Sequence, residues 1–546
     1  MTSTVQDHEV SRRTVLGALA GGAGVVLASG SLMSLLAACG SSSSGGSGSS
    51  GSLALGLFAE PDSLDPATMR LIPSYQVVTA VYDQLLWKVA GDASDKFLPG
   101  LATSYDVSAD GKTYTFKLRP GVTFHDGTAF NADAVKATFD RLVDPTTKSI
   151  SAKGVLGPYT GSTVVDANTV QVAFSTPNGG FLGNVASPLL AIVSPAAAKK
   201  YGADFGRNPV GTGPFMFKSW TSGQLISLTR NDKYTWGPDR DGLKGPAKLS
   251  DVTYRIVTSS SAQANAVQTG SLQVAQGMDI SDVVRLTKAG FLKEVAPASG
   301  MPFGFMLNVT KAPTDDPLVR RAIQYATDTA TINQTVFSNV YPPANSVLTS
   351  PTFGHDSMVS YHYDPAMAGK LLDQAGWTMG SGGVRQKNGA DLQLAWLLST
   401  GFGFQDAAEL MTSQLNKVGI KSQITQQVPP TITASIAQGV MNVSSIYDYA
   451  ADPYILNTLF ACAQVGKGPN YAHFCDPKID EAIAAANAIP DGAARAKAYG
   501  AISQTLMADA MFVPIYDLSA VFVTAKSVKG LTYTNLAIPL LTGATA

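Results

Sequence analysis

The sequence predicts a multi-domain α/β protein, on three observations. At 546 residues the chain exceeds one ordinary domain. Hydrophobic residues make up 45% of it, enough for sizeable cores. Short apolar runs also alternate with capped amphipathic stretches throughout, which is the pattern of α/β lobes rather than of a sandwich or a bundle. Charged residues are scarce, at 14% against about a quarter in an average domain. With 39 Lys+Arg against 40 Asp+Glu, the surface cannot neutralise a phosphate backbone, which excludes a dedicated nucleic-acid binder.

The front end reads as an export address. Arg12 and Arg13 precede an uncharged stretch from Thr14 to Ala38, forming the basic and apolar regions of a signal peptide. The paired arginines favour the twin-arginine route, although Val15 and Gly17 stand where its pattern has Phe and Lys. A membrane helix is the competing reading, weakened by the glycines and serines in the stretch. Leu36-Ala37-Ala38-Cys39 resembles the lipobox of bacterial lipoproteins. That resemblance implies that residues 1–38 are removed and that Cys39 is lipidated as the new N-terminus. Residues 39–52 continue as Gly and Ser alone after the cysteine, a flexible tether of about 20 Å beneath a body held by acyl chains.

The body's elements follow in order. Leu53–Phe58 is a short apolar run, read as a buried strand, and Glu60–Pro66 is a Pro/Asp loop before an amphipathic stretch ending near Trp87. Thr113–Leu118 alternates, with Tyr114, Phe116 and Leu118 on one face, between turns at Asp110-Gly111 and Arg119-Pro120-Gly121. Asn131 caps a helix Ala132–Leu142, and Asp316-Pro317 caps another through Tyr325. Leu392–Leu398 reads as a strand; Ala407–Val418 and Ile479–Ala486 read as helices.

Several stretches resemble one family. YTFKLRPGVTFHDGTAFNADAVKATFDRL (Tyr114 to Leu142) is similar to the signature of the family 5 extracytoplasmic solute-binding proteins, the peptide-, nickel- and opine-type receptors of ABC importers. NPVGTGPF (Asn208 to Phe215), DPLVRRAIQYATD (Asp316 to Asp328), QLNKVGI (Gln414 to Ile420) and FVPIYD (Phe512 to Asp517) resemble further landmarks, in the family's order. The resemblance implies an α/β two-lobe clamshell, with an extra subdomain on the first lobe. Lobe I takes residues 53–95, 200–302 and 513–546, the accessory subdomain 96–199 and lobe II 303–512. The chain crosses between lobes near Met301–Asn308 and Phe512–Tyr516. The implied function is capture of an oligopeptide-like solute by hinge closure and delivery to a permease, by a monomer without cofactor or catalysis. The alternatives are a receptor for a non-peptide solute or nickel complex, or a lipoprotein sensor or adhesion module.

In peptide-binding relatives, an acidic residue a few positions before a DP or EP pair meets the ligand's α-ammonium. The resemblance puts Asp448 in that role, one position further than usual from Asp452-Pro453, with Tyr449 at the usual place. Tyr447 and Tyr449 supply rigid surface with polar tips, or else pack within a strand. Asp452 reads as a helix cap. Glu60 and Asp62, in the loop after the first strand, and Trp396 and Phe402, near the end of a lobe II strand, are further ligand candidates, each with a turn or packing reading as well. Cys462 and Cys475 are left to pair in an oxidising exterior, or to sit as buried thiols. His125 in the long signature reads as structural, and the GTGPF run as a turn rather than a phosphate loop. His355 and His362 share a polar region, but without acidic or Cys partners no metal site is expected. No GxSxG, HExxH or Walker pattern appears.

Overall fold

The computed structural model describes residues 51–238, 240, 243–356, 362–399, 403–490 and 492–546. Cys39, the leader, the Gly/Ser stretch as far as residue 50, and Phe402 lie outside the described residues.

Two mixed sheets carry the two lobes. The first has seven strands, in the order Leu292–Pro297, Ser519–Thr524, Val274–Gln276, Ser52–Leu57, Asp251–Ile256, Leu225–Arg230, Phe215–Thr221. Ser52–Leu57 lies parallel to both neighbours, and its Leu53, Leu55 and Leu57 are all enclosed. A strand covered on both faces needs such a continuous apolar run. The second sheet has five strands, in the order Lys421–Gln427, Gln393–Ser399, Val443–Tyr449, Gly300–Leu307, Phe512–Tyr516. Its first three strands are mutually parallel and the last two antiparallel to their neighbours.

A third, antiparallel sheet of four strands joins Ala102–Val107, Thr113–Leu118, Thr169–Phe174 and Tyr159–Asp166 in that order. The helix Ala132–Val143 packs on it, its first turn closed by Asn131 Oδ1 accepting from Ala134 N at 3.1 Å. Tyr114, Phe116 and Phe139 crowd edge-to-face around the Phe181 ring. One uninterrupted apolar cluster runs through this sheet and the seven-stranded one, whereas the five-stranded sheet has clusters of its own. That separation of cores is what makes two lobes.

The chain passes between the large sheets at residues 298–299 and 517–518. Of the segments expected near the crossings, Met301–Asn308 falls mostly in the buried inner strand Gly300–Leu307, and Phe512–Tyr516 is a buried strand at the edge of the second sheet. Apolar side chains on both faces pull them inside, leaving the passages to the polar Ser299 and Asp517 beside them. Ala298 N donates to Leu518 O at 2.9 Å, and residues 342–352 strap both passages. Asp517 N donates to Pro342 O at 2.8 Å, Ser350 N to Asp517 Oδ2 at 3.0 Å, Thr349 Oγ1 to Ala298 O at 2.8 Å and Gly300 N to Thr352 Oγ1 at 2.8 Å.

Away from these passages the lobes meet again. Gly179 N donates to Asn487 O at 3.0 Å, Gly180 N to Asn487 Oδ1 at 3.3 Å, and Asn487 Nδ2 to Pro177 O at 3.1 Å. A Cβ on Gly179 would stand 2.5 Å from Asn487 O and 2.9 Å from Arg495 Nε, so the approach requires glycine. Cys462 and Cys475 form a disulfide, closing a loop between the helices Ile455–Phe460 and Pro477–Asn487.

Candidate functional site

The strand Val443–Tyr449 runs three residues past the end of its parallel neighbour Gln393–Ser399, whose other neighbour is the parallel strand Lys421–Gln427, and carboxyl ends of parallel strands are where such sheets open ligand crevices. Its last three residues are Tyr447, Asp448 and Tyr449. Strand alternation sends the two tyrosines to one face and Asp448 to the other. Asp448 is paired with Met301, three residues from the passage at Ala298, so the site lies beside the hinge.

The Asp448 carboxyl is part-buried. Burial pushes its pKa up to about 7, opposed by the Tyr449 backbone N–H. No ion pair to it forms among the described residues. Three phenols share its field: Tyr75 from the first-lobe helix Ile72–Val81, Tyr447 beside it, and Tyr471 from the disulfide loop. Burial raises the pKa of each, that of Tyr75 to about 12, and the Asp448 charge adds to the rise.

On the opposite face, Tyr447 remains 37% exposed. Phe404 lies 5.7 Å from its ring and Tyr449 lies 6.3 Å away. Tyr449 reaches the first-lobe core. A Tyr341–Tyr516 stack with centroids 4.2 Å apart stands nearby, close enough for Tyr341 to add to the burial-driven rise in the Tyr449 pKa. The result is a group of tyrosines from both lobes around one carboxylate that has no ion pair among the described residues. Such a constellation can hold an ammonium through charge-assisted hydrogen bonds and ring faces.

Three other candidates serve the fold. Trp396 is 1% exposed, edge-on to Phe305 at 5.2 Å; it is a core side chain, because its strand is covered by the helix Phe404–Lys417. Glu60 accepts from Trp220 Nε1 at 3.0 Å and Gly223 N at 3.1 Å, tying its loop to a hairpin of the first sheet. Asp62 accepts from Arg70 N at 2.9 Å and Ser74 Oγ at 2.6 Å, which fixes the start of the helix bearing Tyr75. Each of the three is thus held by contacts within the fold.

Asp452 Oδ1 accepts from Tyr454 N at 2.9 Å just before the helix Ile455–Phe460. The same carboxylate receives Arg495 Nη1 at 2.8 Å and Nη2 at 2.6 Å, both side chains being buried. Burial works against the Arg495 cation, and Asp452 overcomes it, holding the pKa above the ordinary value. His125 Nε2 lies 2.9 Å from Gly213 O, and burial pushes its pKa down to about 4, so it is a neutral strut against the GTGPF turn. His355 faces Leu348 O while His362 packs on Tyr325. Among the described residues no group of three or more His, Cys, Asp or Glu could hold a metal ion. No helix of the described residues is long and apolar enough to cross a membrane.

Sequence reasoning missed Tyr75, Tyr471, Asn487 and Arg495. The disulfide bracket around Tyr471 and the Pro/Asp loop before the helix of Tyr75 are the signals available; Asn487 and Arg495 carry none.

Comparison with known proteins places residues 96–467 in the family model described as bacterial extracellular solute-binding proteins, family 5, middle region. The chain is 32% identical over 481 residues to the glutathione-binding protein GsiB of Pectobacterium atrosepticum, covering 86% of this chain and 89% of that one. It is 29% identical over 486 residues to GsiB of Escherichia coli K12, with the same coverage. Among solved structures, NikA of Brucella suis in complex with Fe(III)-EDTA matches with TM-score 0.79 and 25% identity, over 90% of this chain and 99% of that chain. DppA of Helicobacter pylori, an ABC transporter-associated periplasmic binding protein in complex with peptide STSA, matches with TM-score 0.72 and 25% identity, over 90% and 98%.

Proposed function

The chain belongs to the family 5 bacterial extracellular solute-binding proteins, and from that premise we propose that it captures an oligopeptide-like solute bearing a free ammonium, closes its lobes over it and delivers it to an ABC permease. The observation that carries this reading is Asp448, a carboxylate with no ion pair among the described residues, whose charge acts on phenols from both lobes. Glutathione, which the GsiB relatives bind by name, carries a free α-ammonium of the kind Asp448 would meet. Binding of this sort needs no catalytic group, since selectivity comes from contacts that exist only when both lobes engage.

We place the lobe limits at residues 53–95, 200–302 and 513–546 for the first lobe, 96–199 for its accessory subdomain and 303–512 for the second. The separate cores on either side of residues 298–299 and 517–518 support this division, with the crossings shifted to those passages. We further propose that the protein is a monomer, exported by the twin-arginine route and anchored outside the cell membrane through lipidated Cys39. The Arg12-Arg13 pair, the Leu36–Cys39 box and the Gly/Ser tether support that location. Loss of acyl-chain labelling and release of the protein on Cys39→Ser would be the expected result.

The ligand reading is tested by thermal shift against a peptide pool, other polar solutes and nickel complexes. Stabilisation only by non-peptide solutes rejects it. Asp448→Ala weakens every ammonium-bearing ligand that binds; unchanged affinity removes Asp448 from the site.

A further inference from the structure

A cavity of about 150 Å³ lies where the two lobes and the four-stranded sheet meet. Lys88 and Phe97 line it from the loop between the short first-lobe strands Leu86–Trp87 and Leu98–Pro99, Tyr105 and Tyr114 from the four-stranded sheet, and Asp452 and Arg495 from the second lobe. Lys88 is only 3% exposed. Its Nζ donates to Ser94 O and stands 5.1 Å from the centroid of the Phe97 ring. An ammonium carries three donors, yet no further hydrogen bond and no ion pair to Lys88 forms among the described residues. The two carboxylates lining the cavity are engaged elsewhere. Asp452 holds Arg495. Asp95 presses on Gly492, at the head of the helix Gly492–Ala508, so closely that a Cβ there has no room, and a helix start favours a negative charge. Lys88 is therefore the charge left over. Burial works against it and pulls its pKa down, although Asp92, Asp452 and Asp95 oppose the fall.

We propose that this cavity is a binding site for a small organic carboxylate, which pairs with Lys88 while its body lies among the rings of Phe97, Tyr105, Tyr114 and Phe353. An apolar cavity of about 150 Å³ holds one benzene ring, so the class is short or flat acids of that size. A carboxylate brought to Lys88 turns a lone buried ammonium into a charge-assisted pair, which offsets the desolvation of both ions. An amide of the same shape brings no charge and gains less. Because the walls come from both lobes, occupancy favours the closed arrangement. The site goes beyond the peptide-like reading and does not depend on what Asp448 meets. The acid is either a separate molecule or a side chain of the captured solute, and the chemistry at Lys88 is the same.

The test titrates the purified full chain with benzoate by calorimetry, with benzamide as its uncharged twin. The wild type is expected to bind benzoate about tenfold more tightly than benzamide, or better. Lys88→Met, which keeps the stem and removes the charge, should lose that preference. Val107→Phe, which fills the cavity and keeps Lys88, should lose both probes. Titration with the tripeptides Ala-Glu-Ala and Ala-Gln-Ala then tells the source of the acid. A preference for the Glu peptide that Lys88→Met abolishes assigns the carboxylate to the captured solute; equal binding, or none, assigns it to a separate acid. Absence of benzoate binding by the wild type, or undiminished binding by Lys88→Met, overturns the proposal. Should Lys88→Met fail to fold by circular dichroism, benzoate binding retained by Val107→Phe overturns it instead. None of these failures touches the peptide reading, which stands or falls with Asp448→Ala.

Discussion

Replacing Asn487 with Ala removes two contacts between the lobes and nothing else of consequence. The side chain accepts from Gly180 N at 3.3 Å and donates to Pro177 O at 3.1 Å; the third bond, Gly179 N to Asn487 O, is made by the backbone and survives. At roughly 1 kcal/mol per neutral hydrogen bond, the closed arrangement loses about 2 kcal/mol. That is about 30-fold in the ratio of closed to open molecules. Neither partner belongs to the core of the five-stranded sheet, so the melting temperature should hardly move. Small-angle scattering of the ligand-free protein reads the outcome directly: the variant should show a larger radius of gyration, and added ligand should restore the wild-type value. An unchanged radius, with wild-type affinity, would refute the idea that this contact sets the closing equilibrium.

Other perturbations follow from the same structure. Asp448 has its carboxyl pKa raised from 3.8 to about 7, so its contribution to the stability of the unliganded fold is full below pH 4 and is lost as pH rises to 7. Asp448→Asn should therefore gain in melting temperature relative to wild type at pH 8 and show little difference at pH 4; a constant offset at both would contradict this. Below pH 7 the uptake of an ammonium ligand should also release a proton, seen as buffer-dependent binding enthalpy. Asp452→Asn strands the buried Arg495 cation and should cost about 3–5 kcal/mol in denaturant unfolding; a loss below ~1 kcal/mol would mean that the pair is screened by water. Opening the Cys462–Cys475 loop by double serine substitution should destabilise the fold by roughly 3 kcal/mol in the chain-entropy model, measured by the shift in urea midpoint.

Local rules carried much of the architecture. Asn131 and Asp316 cap helices in the structure because a short polar side chain before an apolar period satisfies the first turn's donors. The run Leu53–Leu57 is a central strand because no alternating pattern marks a solvent face. The passages at 298–299 and 517–518 lie beside the segments expected near the crossings, Met301–Asn308 and Phe512–Tyr516, since an apolar run looks the same in sequence whether it links sheets or lies inside one. The candidate site was legible only in part. The family resemblance points to Asp448 although it stands one position further than usual from Asp452-Pro453, whereas Trp396 reads alike as an exposed platform or a core ring until the covering helix is known. Tyr75 and Tyr471 lie far from Asp448 along the chain, and no local signal brings them together.

The strap formed by residues 342–352 governs how the protein can move. Both inter-sheet passages are bonded to each other and to this one segment, so neither can flex alone. They act as two pins through a common post, which permits swinging about a single line and resists torsion. Asp448 pairs with Met301, three residues from the passage at Ala298, close to the pins, where a swing displaces atoms little. A guest can dock its charged end there while the jaws still stand apart, and the rest of the cleft then folds down onto a molecule already moored.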